Sequence, residues 1–277
     1  MNAKANEFAN PELLWSPENL AERLGQPGLS IVDTRPAELF AKGHIPGARH
    51  FDPYFVNCDD TDPAPLRSFT RMWSDMLAWR GVSETDTIVF YGAFTDMCAA
   101  RAWWFVEYLG HGDVHVLDGG ITAWTAAGQA LEMDGEPPKP AKFKYETAFE
   151  TVATYASVLE AIDDPDRVIL DNRSRAEFDG SDPRARNNGA IPSAKHLNWV
   201  ELYDGDGRMK PAVQLRDAFE ALGATSDKEI TLYCNTGYRS AHAYLALRLL
   251  GYPRLRNYVG SWQEWGNRDG MPIWKPV

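Results

Sequence analysis

ITLYCNTGYRSAHAYLALRLLG, residues 230–251, passes from a β-rich apolar run through a polar hexapeptide into an apolar helical pattern. ITLY reads as a buried strand and SAHAYLALRLL as a helix, so CNTGYR (234–239) is the loop between them. A second version stands earlier in the chain. DTIVFYG (86–92) parallels KEITLYC (228–234), and the helical stretch RAWWFVEYL (101–109) follows it. Three further pairs agree: IVDTRPAELF (31–40) with VILDNRSRAEF (168–178), GHIPGARHF (43–51) with GAIPSAKHL (189–197), and VLDGGITAWTAAG (116–128) with NYVGSWQEWGNRDG (257–270). Asp33 to Asp171 is 138 positions, Gly92 to Cys234 is 142 and Trp124 to Trp265 is 141. The 146 positions from Ile45 to Ile191 mark an insertion around SDPRARNN (181–188). A period near 140 is too long for a solenoid and implies two copies of one domain.

Strands alternate with helices inside each copy. The expected class is therefore α/β, each copy a mainly parallel sheet flanked by helices on both faces. The stretch LEMDGEPPKPAKFKY (131–145) is rich in Pro, Gly and charge and resists regular structure. It divides the chain into residues 1–135, a linker at 136–150, and 151–277. In parallel sheets of this kind ligands bind beyond the carboxyl ends of the strands, where Cys234 stands.

The 277 residues suit two domains, and a formal charge of −11 disfavours nucleic acid or an anionic membrane as partner. A small anion needs only a local positive site. Cys58, Cys98 and Cys234 form neither a disulfide framework nor a CxxC zinc site, and no histidine spacing suggests a metal. The first fifteen residues lack the apolar core of a secretory signal, and no run approaches the roughly 18 apolar residues of a membrane span. The expected location is the reducing cytoplasm.

If CNTGYR curls, its amides converge with a helix N-terminus on one point and favour an anion there. The same field stabilises a thiolate, which makes Cys234 a nucleophile near neutrality. Gly237 permits the curl, and Arg239 either caps the anion or pairs with a neighbouring carboxylate. In copy one the aligned position is Gly92, so that copy reads as silent. Cys58 and Cys98 read as small buried hydrophobes.

DTRPAELFAKGHIPGA, the CNTGYRS loop and YVGSWQEW together resemble the tandem rhodanese-type sulfurtransferases, over nearly the whole chain. The resemblance implies two rhodanese-like domains, the first catalytically silent, with a pocket between them. It also implies a persulfide carried by Cys234, formed from a small anionic donor and passed to cyanide or a thiol without a cofactor. Asn235, Thr236, Gly237, Tyr238 and Ser240 are the expected substrate-binding loop, joined by Arg184 and Trp199. Phosphatases of this fold use a Cys-x5-Arg loop, and the Cys-x4-Arg spacing here is one residue short. A binding module or a relay of persulfide to a protein acceptor is the other alternative.

The donor is less readable. Neutral Asn235 and Thr236 replace the basic residues of the thiosulfate-specific animal enzymes, and Thr236 leans toward the mercaptopyruvate-using relatives. Those relatives, however, hold the substrate carboxylate with two arginines. Glu177 stands at the first position, where it is expected to repel a carboxylate, and Arg184 or Arg186 is the candidate for the second. Thiosulfate is the favoured donor, with Arg239 supplying positive charge. The symmetric Asp33–Arg35 and Asp171–Arg173 sets are expected to pair as scaffold, Trp262 and Trp265 to pack their helix, and His44 to border the interface.

Overall fold

The computed structural model describes residues 7–135 and 137–275. In copy one, β1 (Leu14–Trp15), β2 (Leu29–Asp33), β3 (Arg49–His50), β4 (Thr87–Tyr91) and β5 (Val114–Leu117) alternate with α1 (Pro17–Ala21), α2 (Ala37–Phe40), α3 (Pro63–Trp79), α4 (Met97–Tyr108) and α5 (Gly120–Ala126). Copy two repeats this with β6 (Val152–Ala153), β7 (Arg167–Asp171), β8 (Lys195–His196), β9 (Glu229–Tyr233) and β10 (Leu255–Tyr258). Its helices are α6 (Tyr155–Ala161), α7 (Arg175–Phe178), α8 (Ala212–Glu220), α9 (Tyr238–Leu249) and α10 (Ser261–Trp265). The sheets run β1-β5-β4-β2-β3 and β6-β10-β9-β7-β8, with every pair parallel. The expected α/β class and internal repeat are thus present element for element.

Alternation along the strands builds three cores. The β2–β4 register sets Ile31 beside Val89 and Val32 beside Phe90. Successive side chains point to opposite faces. Ile31 and Val89 therefore join Trp124 in an outer core, while Val32 and Phe90 enter an inner one. Copy two sorts Ile169 and Tyr233 outward with Trp262 and Trp265, and Leu170 and Leu232 inward. The inner core is continuous through both copies. In it α4 lies against α9, with the Trp103 and Tyr244 rings 6.1 Å apart. Arg248 Nε and Glu107 Oε1, 2.9 Å apart, tie the same two helices.

Both main helices begin earlier than the pattern implied. Asp96 accepts hydrogen bonds from the N–H groups of Cys98 and Ala99 and starts α4 at Met97. Gly237, at φ 86°, turns the chain sharply enough that α9 starts at Tyr238. Tyr238 and Arg239 accordingly belong to the first helical turn, and the true loop is Cys-Asn-Thr-Gly.

The Asp-x-Arg pairs form as expected. Arg35 Nη2 lies 2.5 Å from Asp33 and donates to Gly43 O at 2.8 Å. Arg173 repeats this with Asp171 at 2.6 Å and Gly189 O at 2.8 Å. Each arginine thereby ties the end of a central strand to the turn that leads into the edge strand. His44 differs from expectation. It stacks on Phe40 and places Nε2 3.5 Å from Glu132, all within copy one, because the Gly43–Ile45 turn folds back on α2. Between α5 and β6, Ala141 donates to Ala78 O and Phe143 enters the inner core, so this segment lies along copy one.

Candidate active site

Cys234 follows directly on β9. Its Sγ accepts the Gly237 N–H at 3.1 Å and faces the Ser240 hydroxyl at 3.7 Å. The segment YVGSWQEW braces the loop from behind. Ser261 Oγ accepts the Cys234 N–H at 3.1 Å, Trp262 N–H reaches Cys234 O at 3.0 Å, and Gln263 N–H reaches Asn235 O at 2.8 Å. Three residues at the start of α10 therefore brace the loop from behind, two of them by its carbonyls, while the Gly237 amide turns toward the sulfur.

A cavity of about 280 Å³ opens over Cys234. Asn235, Thr236, Tyr238 and Arg239 line it from the loop and the start of α9, and Glu177, Arg184 and Trp199 from the rest of copy two. Copy one contributes Tyr54 and Met97, which sequence reasoning missed. Gly237 and Ser240 lie beneath the sulfur instead, with Ser240 Oγ donating to Asn257 Oδ1 at 2.7 Å. Tyr238 presents its ring to the cavity and donates its hydroxyl to the carbonyls of Pro53 and Val56, locking α9 to copy one. Trp199 sits edge-on to His242 at 5.3 Å. Arg186 is turned away, bonded to Asp269 at 2.7 Å.

Arg239 takes the second of its two expected roles. Its guanidinium makes a bidentate pair with Glu177, Nη1–Oε2 at 2.6 Å and Nη2–Oε1 at 2.8 Å. The partners are 62 positions apart, so nothing local announced the pair. Glu177 is thus not a bare repelling carboxylate. Burial pushes its pKa up, but the hydrogen bond and charge of Arg239, with help from Ser174, hold it down at about 2. Arg184 Nε lies 3.9 Å from the same carboxylate. The cavity lining thus carries two arginines and one carboxylate, and Asp182 pairs with Arg184 Nη2 at 2.8 Å from outside that lining.

Cys234 is buried, and desolvation alone pushes its thiol up. The charge of Arg239 and hydrogen bonds from Ser240 and the Thr236 amide outweigh this and bring the thiol below its ordinary value. Cys58 goes the other way, pushed up to about 11 by burial, and Cys98 is raised further still. One cysteine of three is chemically poised.

The model of the rhodanese-like domain matches this chain twice, at residues 16–127 and 154–268. The chain belongs to the rhodanese family. Its tandem rhodanese arrangement is shared along nearly the whole length of its relatives. The sulfur carrier protein TtuD of Thermus thermophilus is 34% identical over 97% of this chain and 98% of its own. A thiosulfate sulfurtransferase of Pseudomonas aeruginosa is 32% identical, over 96% and 98%. Among solved structures, SseA, a 3-mercaptopyruvate sulfotransferase from Escherichia coli, superposes with a TM-score of 0.77 at 26% identity, covering 90% of this chain and 98% of that one. Among the described residues no group of three potential ligands is placed to hold a metal ion, and no helix is long and apolar enough to cross a membrane.

The rhodanese loop of copy one is filled differently. The Asp96 carboxylate occupies its cradle, accepting N–H groups from Ala93 at 2.9 Å, Cys98 at 2.9 Å and Ala99 at 3.0 Å. A Cβ added at Gly92 would meet Asp96 Oδ2 at 1.8 Å. Copy one thus has no room for a cysteine side chain where copy two has Cys234.

Proposed function

We propose that this rhodanese-family protein is a sulfurtransferase that takes the outer sulfur of thiosulfate onto Cys234 and hands it to a thiol or cyanide. The observation that carries this reading is a single cysteine whose thiol is brought below its ordinary value at the floor of a small cavity lined by Arg184 and Arg239.

The Cys234 thiolate attacks the outer sulfur of thiosulfate. A new S–S bond forms, the donor S–S bond breaks, and sulfite leaves with the electron pair. The persulfide keeps its outer sulfur as an anion, which the loop amides are disposed to receive. An acceptor nucleophile then attacks that sulfur, and Cys234 departs as the thiolate from which it began. No net redox equivalent or cofactor enters. Arg184, facing the cavity, is the natural contact for the donor's sulfonate end: its partner Asp182, 2.8 Å away, is about as solvent-exposed as Arg184 itself, whereas Arg239 is committed to the buried Glu177. Asn235 and Tyr238 bound the donor, and Trp199 closes the far wall.

A second donor, 3-mercaptopyruvate, is favoured by one observation: the hydroxyl-bearing Thr236 lines the cavity. A protein acceptor also suits the site, because Tyr54 lines it and the strongly exposed Phe55 packs against Tyr54 at 4.8 Å. A reducing compartment such as the cytoplasm suits three unpaired cysteines.

Intact mass measurement after incubation with each donor tests the reading. Thiosulfate should add one sulfur mass that cyanide removes. Comparing kcat/KM for the two donors ranks them, and absence of any adduct from either overturns the assignment.

A further inference from the structure

Arg101 is the most anomalous charge in the molecule. It lies on α4 of copy one and is fully buried, yet among the described residues no carboxylate pairs with it. Its Nε and Nη2 have no hydrogen-bond partner among the described residues. The guanidinium packs over the Trp104, Phe105 and Tyr238 rings at 5.0, 5.8 and 5.3 Å. Its one polar contact is Nη1 to Gly237 O at 3.5 Å. Burying an unpaired cation is strongly unfavourable on general grounds, so its persistence points to an anion that forms nearby.

The surroundings contain few candidates. The acids that feel Arg101 are Tyr238, Cys58 and Cys234. Burial drives Tyr238 and Cys58 above their ordinary values, leaving them neutral. Cys234 alone ionises readily. One residue bridges cation and sulfur: Gly237 donates its N–H to Sγ, while its carbonyl accepts from Arg101 and, at 3.2 Å, from Asn257 Nδ2. A side chain at Gly237 would come within 2.9 Å of the guanidinium, so the approach is as close as glycine permits.

We propose that Arg101, lent by copy one, is a positioning residue for the reactive loop: through Gly237 it aims the loop amide at the sulfur and sets a fixed positive charge behind the Cys234 anion. The other charges facing the thiol are Arg239, Glu177, Arg184 and, behind Arg239, Asp171. Arg239 and Glu177 largely neutralise each other, and Asp171 is paired with Arg173. Arg101 has no such counter-charge, which makes its field at the loop disproportionate to its distance. This assignment rests on Cys234 being the reactive group, but its test does not need sulfur transfer.

The experiment is the pH dependence of Cys234 alkylation by iodoacetamide, followed by peptide mass mapping, in wild type, Arg101→Lys, Arg101→Gln and Arg101→Met, with thermal melting of each. Alkylation reads the thiolate whether or not the protein transfers sulfur. The expected result is a midpoint raised by about one unit in the Gln and Met variants, a roughly tenfold smaller thiolate fraction below the midpoint. Arg101→Lys, which keeps the charge, should retain most of the wild-type midpoint. If Met fails to fold, the Lys and Gln pair decides the matter by the same ordering. An unchanged midpoint in folded Gln or Met variants overturns the proposal, as does a midpoint that follows melting temperature instead of charge.

Discussion

Copies one and two build the same strand–loop–helix and put different anions into its ring of amides. In copy two the ring surrounds the Cys234 sulfur and opens on a cavity. In copy one it closes on the Asp96 carboxylate, which satisfies three N–H groups and caps α4. A cradle of amides is thus a demand of the fold as much as a catalytic device. Where no reactive anion is supplied, the chain must provide an inert one, or leave buried donors unsatisfied. Around the plugged ring, copy one has been turned to the service of its partner. Phe94 packs against Tyr203 at 5.1 Å, Thr95 donates its N–H to Gly207 O, Met97 walls the cavity, and Arg101 backs the loop.

The largest effect that separates the copies is chemical. Cys234→Ser should abolish the sulfur adduct and lower turnover by at least about 10³-fold, while Cys98→Ser, in the first turn of α4 in copy one, leaves an adduct of one sulfur in mass spectra. Next comes the attempt to make copy one resemble copy two. Gly92→Cys forces a side chain into Asp96 and should cost roughly 1–3 kcal/mol in urea denaturation. In the double variant with Asp96→Ala the losses should fall short of their sum by more than about 0.5 kcal/mol, the mark of direct contact. Asp96→Ala alone removes a cap and should cost about 1–2 kcal/mol.

The smallest effect is a pair of opposite acid responses. Glu177 in the fold sits at about 2, below its ordinary 4.5, so its contribution to stability is complete above 4.5 and is lost as pH falls toward 2. Burial outweighs the three amides around Asp96 and raises its carboxyl. Its ionisation opposes folding, and acid relieves that penalty. Chemical denaturation across this range should therefore show a shallower acid loss for Glu177→Gln and a steeper one for Asp96→Asn. The same slope in both variants would erase this distinction between the copies.

Much of this was legible from residue pattern. Paired β-rich runs, Asp-x-Arg sets and the Cys-x-x-Gly turn are local signals, and they located both sheets, the scaffold pairs and Cys234. What escaped was long-range or ambiguous in kind. Arg239 and Glu177 meet only because α7 and α9 start at the same edge of one sheet. Asp96 looks like any residue before a helix, since an ordinary cap and a plugged anion ring need the same side chain. Arg101 opens RAWWFVEYL, where a charge beside apolar residues normally marks the solvent face; only the packing of α4 on α9 turns it inward. Tyr54 and Met97 lie in copy one and owe their role to the docking of the two copies.

The continuous inner core has a consequence for how such a protein can be cut, copied or recombined. Tyr244, Leu245 and Leu249 of copy two are buried in the core it shares with copy one, where α4 lies against α9. A gene fragment beginning near residue 150 would encode every atom of the reactive loop and yet display that apolar face to water. Copy one is therefore the inner surface of copy two, and separating them would expose apolar area on both.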